Sequence, residues 1–172
     1  MKFWRKNSAL STALIGIGNI LLSDEGVGVH AVNAIKQRYT FSPHVEIIDG
    51  GTMGLDLLSY FEGRDKVLIL DAVDFGEPPG HTGIIENNDI PSALDPKFSV
   101  HHIGLSDVLF AAKLMDIKPA EVCLIGIQPQ SLDVGLDMTD EINGKIGKLI
   151  YLSLSKLKEW GINVSCRTIQ DN

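Results

Sequence analysis

Lys66–Asp71 reads KVLILD: a basic residue, four apolar residues and an acid. A short apolar run between polar ends is the pattern of a strand buried on both faces, and it leaves a carboxylate at the strand's carboxyl end. On the amino-terminal side, Thr12–Ile17 (TALIGI) is a similar run closing on glycine, and Val45–Ile48 (VEII) is another. On the far side lie Thr82–Glu86 (TGIIE) and Glu121–Gln128 (EVCLIGIQ). Helical spacing fills the intervals. Gly26–Tyr39 places Val27, Ala31, Ala34 and Ile35 on one stripe, with Ser23 or Asp24 as the N-cap. Thr52 caps a helix expected to bury Leu55, Leu58 and Phe61, and Leu105–Met115 is helical. Asp140–Trp160 is a long amphipathic helix with Ile142, Ile146, Leu149, Ile150, Leu154 and Leu157 on one face. Ile162–Val164 adds a short final strand.

Alternation of strand and helix predicts an α/β three-layer sandwich, a twisted and mainly parallel sheet flanked by helices. Thr82–Glu86 follows its predecessor through a Gly/Pro-rich loop (FGEPPG) with no helix, so it is expected to be the one antiparallel strand. With 172 residues and no repeat, linker or low-complexity tract, residues 1–172 form a single domain.

The 15 basic and 22 acidic residues give a formal net charge of −7. An acidic surface argues against non-specific binding to nucleic acid or anionic membrane. No stretch reaches the roughly 20 apolar residues needed to span a bilayer. Lys2, Arg5 and Lys6 before ALSTALIGIGNILL imitate a secretory leader, but Asn19 and glycines interrupt the apolar run. Residues 1–11 are read as a flexible extension and the protein as cytoplasmic. Cys123 and Cys166 are too few for a disulfide framework and too far apart for a CxxC site; Cys123, within VCLIGI, is expected to be buried.

Ligands of open α/β sheets bind beyond the carboxyl ends of the strands. There the sequence places Asp24 and Glu25 after the first strand, Asp49 after the second, Asp71 after the third, and His101 and His102 in a later loop. Gly16-x-Gly18 suggests a dinucleotide site, but position 21 is leucine where the fingerprint needs glycine, and Asp24 and Glu25 would repel a pyrophosphate. No GxxxxGK[ST] phosphate loop and no GxSxG nucleophile elbow occur. Carboxylates with an imidazole suit a divalent metal, and the nitrogen donor favours nickel, zinc and their neighbours over magnesium or calcium.

Five motifs in order carry a resemblance: GIGNILLSDEGVG (Gly16–Gly28), DGGTMGLDLL (Asp49–Leu58), LILDAVDFGEPPG (Leu68–Gly80), HHIGLSDVL (His101–Leu109) and LIGIQP (Leu124–Pro129). Together they resemble the hydrogenase maturation endopeptidases, which clip a C-terminal extension from the large-subunit precursor of [NiFe] hydrogenases. The resemblance implies a twisted five-stranded sheet with helices on both sides and an aspartic-type endopeptidase. It also implies that Glu25 of DEG, Asp71 of LDA and the histidine of H-x-x-G-L, here His101, contact metal. Asp49 of DGGT is implied in substrate recognition or cleavage, which makes Glu25, Asp49, Asp71 and His101 the catalytic set. The metal implied is nickel carried by the substrate, with other divalent ions expected to occupy the site in the isolated protein. The partner implied is the hydrogenase precursor, with the chain itself a monomer. A non-catalytic, metal-sensing assembly chaperone would use the same ligands and is the alternative.

Overall fold

The computed structural model describes residues 11–94 and 104–167. The first strand, β1 (Thr12–Ile17), is wholly buried and leads through a 3-10 turn (Ser23–Gly26) into helix α1 (Val27–Arg38). A short strand β2 (Tyr39–Ser42) precedes β3 (Val45–Gly51). A turn at Gly54–Leu57 and the single-turn helix α2 (Leu58–Phe61) return the chain to β4 (Lys66–Ala72). Then come β5 (Thr82–Glu86), a one-turn α3 (Ile90–Ala93), α4 (Leu105–Leu114), β6 (Glu121–Ile127), α5 (Asp140–Glu159) and β7 (Asn163–Cys166).

The main sheet has the order β3-β1-β4-β6-β5, and β5 alone pairs antiparallel, as its loop connection predicts. Strand alternation divides the core into two layers. Leu14, Leu68, Leu70 and Ile125 point to the face covered by α1 and α5. Ala13, Ile15, Val67, Ile69 and Leu124 point to the face covered by α2, α3 and α4. The α5 stripe holds, with Ile142, Leu149, Ile150 and Leu157 buried. Lys156 ties this helix to the edge strand through an ion pair with Glu86, and it pairs with Glu159 at 2.9 Å.

Three local expectations change. Met53, not Thr52, precedes the turn after β3, Leu55 is 42% exposed, and Leu57 is buried in its place. The 3-10 turn there has three residues per revolution instead of 3.6, which shifts the phase of the buried positions. The final strand runs over Asn163–Cys166 and pairs antiparallel with β2 in a separate two-stranded sheet. At the start, Ser11 is held: its N–H donates to Asp65 Oδ2 at 2.8 Å and its carbonyl accepts from Asp65 and Lys66. Residues 1–10 of the expected extension lie outside the described residues. Among the described residues no helix is long and apolar enough to cross a membrane.

Candidate active site

The order β3-β1-β4 reverses the direction in which the sheet is wound. From β1 the chain proceeds through α1 to β3 on one side, and from β3 it crosses back to β4 on the other. A crevice opens at such a switch point, beyond the carboxyl ends of β1 and β4. Helix α1 is seated there. A Cβ on Gly28 would lie 2.2 Å from the Leu70 carbonyl oxygen and 2.5 Å from that of Ile17. Only glycine lets the first turn of α1 approach both strand ends so closely. The close packing that a dinucleotide fingerprint would assign to position 21 is thus supplied at position 28.

That packing brings two of the sequence-selected acids together. Glu25, in the turn before α1, is 8% exposed, and Asp71 is the residue after Leu70 on β4. Asp71 is half-buried as a residue, and its carboxyl is the buried part. Burial pushes its pKa well above the ordinary 3.8; the Ala72 backbone N–H lowers it in part, and the charge of Glu25 raises it further. Burial and like charge therefore both oppose ionisation of this acid.

Asp49 sits on the other flank of β1, level with Gly16 in the β1–β3 register. It is exposed and accepts a hydrogen bond from Asn33 Nδ2 of α1 at 3.2 Å. With Gly18, Asn19, Ile20, Val29 and Thr52 it lines a shallow cleft of about 140 Å³. The cleft is smaller than the roughly 300–1,000 Å³ of enclosed small-molecule sites. Glu25 and Asp71 lie outside its lining. His101 and His102 lie outside the described residues; among those described, no three His, Cys, Asp or Glu side chains converge as a metal site.

Asp24 is not a helix cap. No side chain caps the 3-10 turn or α1, and Asp24, wholly buried, accepts the backbone N–H groups of Gln130, Ser131 and Thr139. Asn33 and this anchor are the site contacts that sequence reading missed. Both reach across the fold, and an asparagine within an amphipathic helix carries no local sign of its partner. Cys123 is buried on β6 with its thiol pushed up to about 12 by burial first, so it holds no thiolate for nucleophilic attack.

Two acids, Glu25 and Asp71, thus meet at the switch point of a mainly parallel α/β sheet, and comparison with known proteins supplies the class. Residues 29–156 match the family model described as hydrogenase maturation protease. The chain is 40% identical to the hydrogenase expression/formation protein HupD of Bradyrhizobium diazoefficiens, over 90% of this chain and 82% of that one. It is 37% identical to the hydrogenase 2 maturation protease of Escherichia coli, over 87% of this chain and 92% of the relative. Among solved structures, the hydrogenase maturating endopeptidase HybD from E. coli superposes with a TM-score of 0.86 at 36% identity, covering 92% of this chain and 98% of that one. The chain belongs to the hydrogenase maturation protease family and is an endopeptidase. The names of these relatives favour a peptidase over the non-catalytic chaperone.

Proposed function

We propose that this endopeptidase removes the C-terminal extension of a [NiFe]-hydrogenase large-subunit precursor after nickel insertion, and that it recognises the nickel already held by that precursor through Glu25, Asp71 and His101. The observation that carries the reading is the Glu25–Asp71 pair: two carboxylates at the switch point, one of them opposed to ionisation by burial and by the other's charge. A divalent cation delivered by the substrate offsets that repulsion. Binding energy then appears only when the ion is present, and cleavage waits for metal insertion. A seated divalent ion polarises the scissile carbonyl or lowers the pKa of a bound water. A carboxylate of the set acts as general base. Asp49 and its cleft hold the substrate chain. Among the described residues the buried Cys123 holds no thiolate, and the chemistry falls to carboxylates, as in an aspartic-type endopeptidase. The precursor is the partner, the chain acts as a cytoplasmic monomer, and the acidic net charge of −7 disfavours binding to nucleic acid or anionic membrane.

The test is incubation of the purified chain, and of its Glu25→Gln and Asp71→Asn variants, with the nickel-loaded precursor. Mass spectrometry should show the extension released by the wild type only, with both variants folded. Release at the wild-type rate by either variant would remove that residue from the mechanism.

A further inference from the structure

The turn that carries Glu25 is fastened to a distant loop by the residue beside it. The Asp24 carboxylate is 0% exposed. Its Oδ2 accepts the N–H groups of Gln130 and Ser131 at 3.0 Å each, and its Oδ1 accepts that of Thr139 at 2.7 Å. The Thr139 hydroxyl lies 3.0 and 2.9 Å from the two carboxylate oxygens. That hydroxyl in turn accepts from Ile142 N–H at 3.4 Å, capping α5. Backbone contacts run alongside: Ser23 N–H to Gly135 carbonyl at 2.8 Å, Gly135 N–H to Leu21 carbonyl at 2.9 Å, and Asp24 N–H to Ser131 carbonyl at 3.2 Å. Ser23 itself has φ 51, left-handed backbone that a non-glycine residue adopts at a cost, and its hydroxyl donates to the Asp137 carbonyl at 2.9 Å.

Removing a carboxylate from water is costly unless donors surround it; here they do, and every one comes from the 130–139 loop. Successive residues of a 3-10 turn point about 120° apart. With Asp24 clamped toward the loop, the direction of Glu25 is set.

We propose that Asp24 is a positioning residue of this peptidase: it locks the Ser23–Gly26 turn to the 130–139 loop and the start of α5, and so aims Glu25 at the point it shares with Asp71. The proposal rests on the reading that Glu25 and Asp71 face the precursor's nickel. Asp24 touches neither the metal nor the scissile bond. Partners of metal ligands commonly contribute about 10–100-fold in affinity or activity.

Asp24→Asn keeps the shape but turns an NH₂ group toward N–H donors. Isothermal titration with Ni²⁺ is made on the full chain, on Asp24→Asn, on Glu25→Gln and on Leu157→Ala, with a melting curve for each. Leu157 is fully buried on α5, about five helical turns from Thr139, and its truncation reports destabilisation alone. Asp24→Asn is expected to bind Ni²⁺ about 10–100-fold more weakly than the wild type, while Leu157→Ala, melting at or below Asp24→Asn, binds as the wild type does. Unchanged affinity in Asp24→Asn, or an equal loss in Leu157→Ala, overturns the positioning role. Glu25→Gln tests the premise separately. If it matches the wild type, whether both bind or neither does, the metal-facing reading fails, whatever Asp24 does.

Discussion

Gly18 stands so close to Glu25 that a Cβ built on it would lie 1.8 Å from the Glu25 carbonyl oxygen. Its φ of +129 is also a conformation that side-chain-bearing residues rarely adopt. The second glycine of the GxG pair is therefore what lets the Glu25 turn fold back over the end of β1. Gly18→Ala should cost more than about 1 kcal/mol of stability and displace Glu25. A misplacement of about 1 Å can cost about 100-fold in rate, so processing should fall far more than a melting curve would suggest. Wild-type processing by Gly18→Ala would show that the turn tolerates movement.

Asp71→Asn should stop processing and stabilise the fold. The Asp71 carboxyl has its pKa raised by burial, so the native state prefers it protonated. Below the ordinary carboxylate range both folded and unfolded chains carry the proton and there is no penalty. Between the ordinary carboxylate pKa and the raised one, the unfolded chain has released its proton while the folded chain still holds it, so the wild type loses stability across that window. The loss is complete once pH has risen through the raised pKa. The difference in melting temperature, variant minus wild type, should be near zero at about pH 3 and grow positive with rising pH. A difference independent of pH would contradict the electrostatic account of the site.

Much of this frame is legible in the residues alone. Alternating apolar runs such as KVLILD and TALIGI mark the strands because full burial leaves no polar face, and the loop before Thr82–Glu86 marks the antiparallel one. Motif order selects Glu25, Asp49 and Asp71 as acids at strand ends. What stays hidden depends on partners far away in sequence. The β2–β7 sheet joins Tyr39–Ser42 to Asn163–Cys166. Asp24 reads locally as a helix cap because its actual donors, Gln130, Ser131 and Thr139, lie more than a hundred residues on.

Asp49 should separate substrate recognition from metal binding. It is exposed, lines the cleft and is held by Asn33. Asp49→Asn is expected to raise KM for the precursor while leaving Ni²⁺ affinity as it was. Asn33→Ala removes one hydrogen bond, worth about 0.5–1.5 kcal/mol, and should raise KM roughly two- to tenfold. A fall in Ni²⁺ affinity for Asp49→Asn as steep as that for Glu25→Gln would make Asp49 a ligand.

The adjacent histidines are separable by the same assay. The family spacing to Gly104-Leu105 implies His101, not His102, as the metal contact. His101→Ala should abolish cleavage of the nickel-loaded precursor, and His102→Ala should retain most of it. The reverse pattern would exchange their roles.

The central claim is that this peptidase reads the metal in its substrate. Its most direct measurement is the rate at which the wild-type chain releases the C-terminal extension from one precursor preparation, divided into nickel-loaded and nickel-free halves. Release from the loaded half alone, restored in the other half by nickel insertion, is the expected result. Equal release from both halves would contradict it.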